Sequence, residues 1–188
     1  MISYNNKEIV FNGCPGCAYG MHEFNLDCGM AYENDRFTLS QDWELPIKGF
    51  FIVSPKRHIE KLSELTAEER NEMFYIVDKT VKILRDNNIC DRFDYIFEER
   101  KNRHLHVWIL PRYNWMNEIA DHIIDNIGTI FKYAKENFRN DENYRKIKEI
   151  TDIVKINFNK EKWKSKDGEH SNVINEISTK KKNLQFWR

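Results

Sequence analysis

Two stretches of this chain carry residue types that can do chemistry. The first is His104-Leu105-His106-Val107-Trp108-Ile109-Leu110-Pro111-Arg112. Strand side chains alternate between faces, so His104, His106 and Trp108 share one face and Leu105, Val107 and Ile109 the other. The apolar face packs, and the imidazole face is left for work. Two imidazoles a strand step apart can ligate a metal, or one can attack phosphorus or carbon while its neighbour orients something. Ordinary strand histidines, hydrogen-bonded at a sheet surface, fit a bare H-x-H equally well. The second stretch is Cys14-Pro15-Gly16-Cys17, followed by His22 and Cys28. Thiolates and imidazoles are the usual donors to Zn²⁺. Locally, Cys14-x2-Cys17-x4-His22-x5-Cys28 is close to a zinc knuckle, a module for single-stranded nucleic acid. Its last spacing is one residue too long, and Met21 and Glu23 do not supply the basic, aromatic surface of such a module.

The elements that must position these residues can be read from periodicity. Residues up to about Tyr32 hold too little periodic apolar content for a long helix or strand and read as a loop organised by something else. Phe37–Leu39 and Phe50–Val53 flank Pro46 and Gly49, which predicts two strands joined by a connection, the second stopped at Pro55. Thr66-Ala67-Glu68-Glu69 fits a capping box. Met73, Val77, Val81 and Leu84 then recur on one face of a helix ending near Asn87-Asn88. Phe93–Phe97 and His104–Leu110 bracket the polar run Glu98–Arg103 as a hairpin. Beyond Pro111, Ile119, Ile123, Ile127, Ile130, Phe131 and Ala134 predict one amphipathic helix, and Tyr144, Ile147, Ile150, Val154 and Phe158 a second. From Asn159 the composition turns polar and Lys-rich.

Composition excludes several classes. With 30 Lys+Arg against 30 Asp+Glu the 188-residue chain has no net charge, which argues against a generic polyanion binder; a lone Lys180–Lys182 run is poor support for nucleic-acid binding. Apolar runs such as Phe50–Val53 are far too short for a bilayer, and Met1–Glu8 lacks signal-peptide order. A cytoplasmic protein is expected, in which Cys14 and Cys17 bind metal or do redox chemistry, and Cys28 and Cys90 are buried thiols.

The histidine run resembles the signature of the histidine-triad (HIT) superfamily, His-φ-His-φ-His-φ-φ followed by Pro-Arg, with Trp108 in place of the third histidine. Pro55-Lys56-Arg57-His58 resembles the family's P-K-x-H segment, Asp42 and Gly49 its D-x(6)-G spacing, and Cys14-x2-Cys17 the thiol pair of its zinc-containing bacterial branch. The resemblance spans residues 12 to 113. It implies an α+β fold, with a HIT-like antiparallel sheet and a long helix, usually paired as a homodimer. The expected organisation is a HIT-like domain with a zinc loop over 1–115, a helical extension over 116–158 and a polar tail over 159–188. The resemblance further implies a structural Zn²⁺ on Cys14, Cys17, His58 and His104, and a nucleotide substrate. The activity it implies is that of a nucleotide hydrolase or nucleotidyl transferase, in which His106 attacks the α-phosphorus of a dinucleoside polyphosphate or related conjugate. Asp42 is placed to accept ribose hydroxyls, and Arg103, with Arg100 and Lys101, to neutralise phosphoryl oxygens. Trp108 offers the substrate only an indole N–H where relatives offer an imidazole. The basic turn Glu98–Arg103 replaces a glycine-rich one, and Phe50 stands where Gly-His is common. These departures imply altered substrate or leaving-group specificity, or a zinc-stabilised nucleotide-binding module without turnover.

Overall fold

The structure, a computed structural model, describes residues 1–99 and 104–160. Arg100, Lys101 and Arg103 of the basic turn and the Lys-rich tail lie outside the described residues. Five antiparallel strands form one sheet: β1 (Met30–Glu33), β2 (Phe37–Gln41), β3 (Phe51–Pro55), β4 (Phe93–Phe97) and β5 (Val107–Pro111), in spatial order β1-β2-β3-β5-β4. The expected hairpin is β4 and β5, and the expected strand pair is β2 and β3. β1 was not predicted: Met30-Ala31-Tyr32-Glu33 is only four residues long, its register against β2 is irregular, and its alternation is too short to read. Composition predicts the histidine strand from His104, and the ladder begins at Val107. Pro55 ends β3, and the chain at 104–106 is held by other bonds: the Leu105 amide donates to the Ile59 carbonyl at 2.7 Å, and the Ser54 hydroxyl donates to the Leu105 carbonyl at 3.1 Å.

The alternation of the strands divides the sheet into an apolar and a working face. Phe37, Leu39, Phe51, Val53, Val107 and Ile109 pack on α2 (Ala67–Asp86), which contributes Met73, Ile76, Val77, Val81 and Leu84. The α2 capping box is closed in both directions: the Glu69 amide donates to the Thr66 hydroxyl at 3.2 Å and the Thr66 amide to the Glu69 carboxylate at 2.8 Å. Each fully buried aliphatic side chain in this layer contributes about 1.5–3 kcal/mol of transfer free energy. Val154 and Phe158 of the C-terminal helix α5 (Asp141–Lys160) are buried in the same core, so the extension closes the apolar face rather than standing apart from it.

The N-terminal segment contains a short helix, α1 (Pro15–Gly20), which the loop reading missed. Proline at its first turn suits the fixed φ of that position. Tyr4, Ile9, Tyr19, Phe24 and Leu26 give the segment a small core of its own. The first predicted C-terminal helix is broken in two, α3 (Asn114–Ile119) and α4 (Ile127–Asn137). Ala120 is extended (φ −154°, ψ 134°), and turns carry 121–126. Ile123 still packs with Met116, Ile130 and Ala134, which explains why the apolar spacing continued through the break. No helix among the described residues is long and apolar enough to cross a membrane.

Candidate active and metal-binding site

Strand pairing lays out the working face row by row. Ser54 is opposite Thr38 and next to His106; one step along, Trp108 pairs with Ile52 and Ile52 with Ser40. These side chains floor a cavity of about 400 Å³, with Asp42 at its β2 end and Phe131 and Lys135 of α4 on its wall.

At one border of this cavity four donors converge. The ligating atoms of Cys14, Cys17, His58 and His104 all lie within 4.8 Å of one another. Cys14 Sγ is 3.4 Å and Cys17 Sγ 3.5 Å from His104 Nδ1, and Cys17 Sγ is 3.4 Å from His58 Nδ1. Each donor has a local cause. Pro15 starts α1, which brings both thiols to one end of a single turn. Gly16 lets that turn reach the strand, since a Cβ there would lie 2.6 Å from His104 Cγ. His104 is buried, and its Nε2 lies 2.6 Å from the Pro55 carbonyl. The proton therefore sits on Nε2, donated to that oxygen, and Nδ1 keeps its lone pair toward the thiols. Burial holds the imidazole pKa below its usual value, which favours this neutral form. The Cys17 thiol is pushed up to about 11 by burial and by Cys14 beside it. A divalent cation reverses that preference, because a coordinating thiol loses its proton. Two thiols and two imidazoles in this arrangement suit a tetrahedral ion such as Zn²⁺. The local alternative is not assembled: His22 Nε2 faces the Glu33 carboxylate at 3.1 Å, and Cys28 is buried in the N-terminal core.

His106 is next to this cluster but outside it. Its Nδ1 is 2.9 Å from the His104 carbonyl, so Nδ1–H donates there and Nε2 is left as the free, nucleophilic nitrogen. Trp108 lies beside it, ring centroids 5.7 Å apart, edge-on to Phe50 at 5.7 Å and to Phe131 at 5.7 Å. Asp42 is buried, and its Oδ1 accepts the amides of Glu44 and Leu45, both at 2.8 Å. Burial pushes its carboxyl up to about 7, against the pull of those amides and of the Lys135 charge. Of the predicted residues, the structure brings His106, Trp108, Asp42 and the four-donor set to one cavity and its border, and Arg103 lies outside the described residues. Sequence reasoning missed Gly16, Phe131 and Lys135, and it read Pro55 as a strand stop and the start of the P-K-x-H segment without the part its carbonyl plays in holding His104. The glycine inside C-P-G-C was the one available signal; the two α4 residues have none, because they reach the site from more than twenty positions away.

Comparison with known proteins fits this geometry. The sequence model of the HIT domain family matches residues 23–115. These residues form a HIT domain. Among solved structures, the chain is similar to a hypothetical histidine triad nucleotide-binding protein from Sulfolobus tokodaii strain7, with a TM-score of 0.57 and 21% identity over 82% of this chain and 100% of that one. It is also similar to a Zn-bound histidine triad family protein from Mycobacterium smegmatis, with a TM-score of 0.54 and 17% identity over 78% and 94% of the two chains. A Hit-like protein involved in cell-cycle regulation from Bartonella henselae gives a TM-score of 0.53 and 16% identity over 79% and 99%. At these identities the likeness is one of fold, and it extends past the HIT domain into other parts of the chain. None of the curated proteins matches the sequence. Members of the HIT family bind nucleotides and are commonly nucleotide hydrolases or transferases, and the five-stranded antiparallel sheet with its helices is the family's α+β fold.

Proposed function

We propose that this protein cleaves a nucleotide conjugate at its α-phosphate through a nucleotidyl-histidine intermediate on His106. The observation that carries this reading is the seat of His106: its Nδ1 lies 2.9 Å from the His104 carbonyl, which can only accept, so Nε2 keeps the lone pair on a side chain that lines the cavity. In the first step Nε2 forms a bond to phosphorus, and the P–O bond to the leaving group breaks with its electron pair. Water or another acceptor then attacks phosphorus, and the P–N bond returns its electrons to the imidazole. Thr38, Ser40 and Ser54 line the cavity floor and Asp42 closes the ribose end; Arg103 is assigned to the phosphoryl oxygens.

Cys14, Cys17, His58 and His104 are assigned to a structural Zn²⁺. When bound, the ion ties α1 to the start of the histidine segment and fixes the carbonyl that orients His106. In a reducing cytoplasm the two thiols remain free for this role. A homodimer is assigned to the β4 edge, where Tyr95 and Phe97 are exposed beside Phe74 of α2; a second copy extending the sheet covers them, and sedimentation at twice 22.8 kDa is expected.

The test is rapid quenching with α-labelled nucleotides. Acid-labile label is expected on the wild-type protein and none on His106→Ala. Trp108 favours a second reading, a nucleotide-binding module without turnover, because its ring puts no acid or base on the leaving group. Measurable binding across a nucleotide panel with no trapped label selects that second reading and refutes the enzyme.

A further inference from the structure

The cavity is built partly from outside the HIT domain, and the residues that reach in from there have a consistent chemistry. On α4, Phe131 packs its ring on Trp108, and Lys135 follows four residues later on the same helical face, also at the cavity. Lys135 is the one lysine or arginine side chain on the wall among the described residues. Its ammonium is 3.6 Å from the Glu44 carboxylate, both side chains being nearly half exposed, which is a loose and exchangeable pair. The backbone around that pair is anchored more firmly. Arg139 donates to the Glu44 carbonyl at 3.4 Å, Asn143 donates to the Pro46 carbonyl at 2.7 Å, and the Asp42 carboxylate caps the Glu44 and Leu45 amides. The turn is thus held by groups other than Lys135. The lysine is left as a charge presented to the cavity at the end farther from His106: Asp42, whose amide donates to the Phe50 carbonyl, lies two rows along and two strands across from it.

We propose that Lys135 binds a second phosphate of the substrate, remote from the one that reacts at His106, so that the preferred ligands are nucleotides carrying more than one phosphate. The assignment rests on the nucleotide reading above and refines its substrate class. On binding, the lysine exchanges Glu44 for the phosphate, a stronger, charge-assisted partner. The second phosphate has two chemical sources, a 5′-polyphosphate chain or a phosphate on the ribose, and the two are separable by ligand choice.

The experiment measures equilibrium affinities of the full chain for AMP, ADP, ATP and adenosine 3′,5′-bisphosphate, in wild type, Lys135→Met, Lys135→Arg and Glu44→Gln. Lys135→Met is expected to weaken the multiply phosphorylated ligands about tenfold and leave AMP unchanged. Lys135→Arg is expected to restore most of the loss, and Glu44→Gln to tighten the same ligands. A loss confined to ADP and ATP assigns the chain source, and one confined to the bisphosphate assigns the ribose source. Equal weakening of AMP and the others, or no change in any, overturns the proposal. These readouts need no turnover, so absence of trapped label on His106 refutes the enzyme without touching this assignment, and failure of every nucleotide to bind refutes both.

Discussion

Replacing Gly16 by alanine separates ordinary helix propensity from the geometry of the four-donor cluster, because the two predict opposite signs. In an exposed helix interior the change stabilises by about 0.5–1 kcal/mol, since alanine loses less backbone entropy on folding. Here the added Cβ meets His104 Cγ at 2.6 Å, Nδ1 at 2.8 Å and Cβ at 2.9 Å. Non-bonded carbons sit at about 3.5–4.0 Å, so one partner must retreat by about 1 Å. His104 cannot retreat cheaply, being buried with Nε2 bonded to the Pro55 carbonyl. The turn carrying Cys14 and Cys17 gives way instead. Metal–ligand distances tolerate about 0.2 Å, and a shift of that size in two of four donors breaks the tetrahedron. Overpacking costs about 1–3 kcal/mol, which outweighs the propensity gain before any loss of zinc is counted. Gly128 of α4 is the control, because a Cβ there meets nothing within 4 Å. We expect Gly16→Ala to bind substoichiometric zinc and unfold at lower urea than wild type, and Gly128→Ala to keep its zinc and gain slightly in stability. A Gly16→Ala protein with full zinc content and unchanged or higher stability would refute the steric account.

Two further outcomes follow from the same structure. Cys14→Ala is expected to lose zinc, measured by metal analysis, whereas Cys28→Ala retains it; the reverse pattern overturns the ligand set. Glu69 accepts two hydrogen bonds from Arg57, which with the Thr66 cap hold its carboxyl at about 2, below the ordinary 4.5. A depressed folded-state pKa contributes stability that is complete above about 4.5 and is lost as pH falls toward 2. Arg57→Gln removes the largest cause, so acid unfolding followed by circular dichroism should shift to higher pH; an unshifted midpoint shows that the pair carries no linkage.

What was legible in the sequence was whatever a short window determines. The capping box at Thr66–Glu69, the apolar stripe from Met73 to Leu84 and the strand alternation through Val107 and Ile109 each follow from neighbours a few residues apart, and each is present. The four-donor set was legible only through family resemblance, since Cys17 and His104 are 87 residues apart and nothing local couples them. The strand boundary at His104 differs for a related reason: composition favours a strand there, but the ladders on both sides of β5 stop at Val107, and Leu105 bonds instead to the Ile59 carbonyl and the Ser54 hydroxyl. The break at Ala120 escaped because its turns preserve the apolar spacing while abandoning the helix. The contributions of Phe131 and Lys135 were invisible, as their roles are set by where α4 lands.

That landing makes the departures from the family pattern at Trp108 and Phe50 parts of one arrangement. By the family resemblance, Phe50 stands where Gly-His is common and Trp108 at the position of the third motif histidine. The two rings meet at 5.7 Å, and Phe131 touches both, at 5.8 Å and 5.7 Å. Three aromatic side chains in mutual contact bury large areas and gain about 0.5–1.5 kcal/mol per pair beyond burial. A histidine at position 108 would leave part of that space unfilled, and a glycine at position 50 would remove the ring that Trp108 and Phe131 both contact. The indole is therefore bound up with α4 being seated against the sheet, and the same seat brings Lys135 to the cavity. The indole at position 108 and the lysine at position 135 are brought to the cavity by one packing solution, so a search for the protein's substrate should weigh them together.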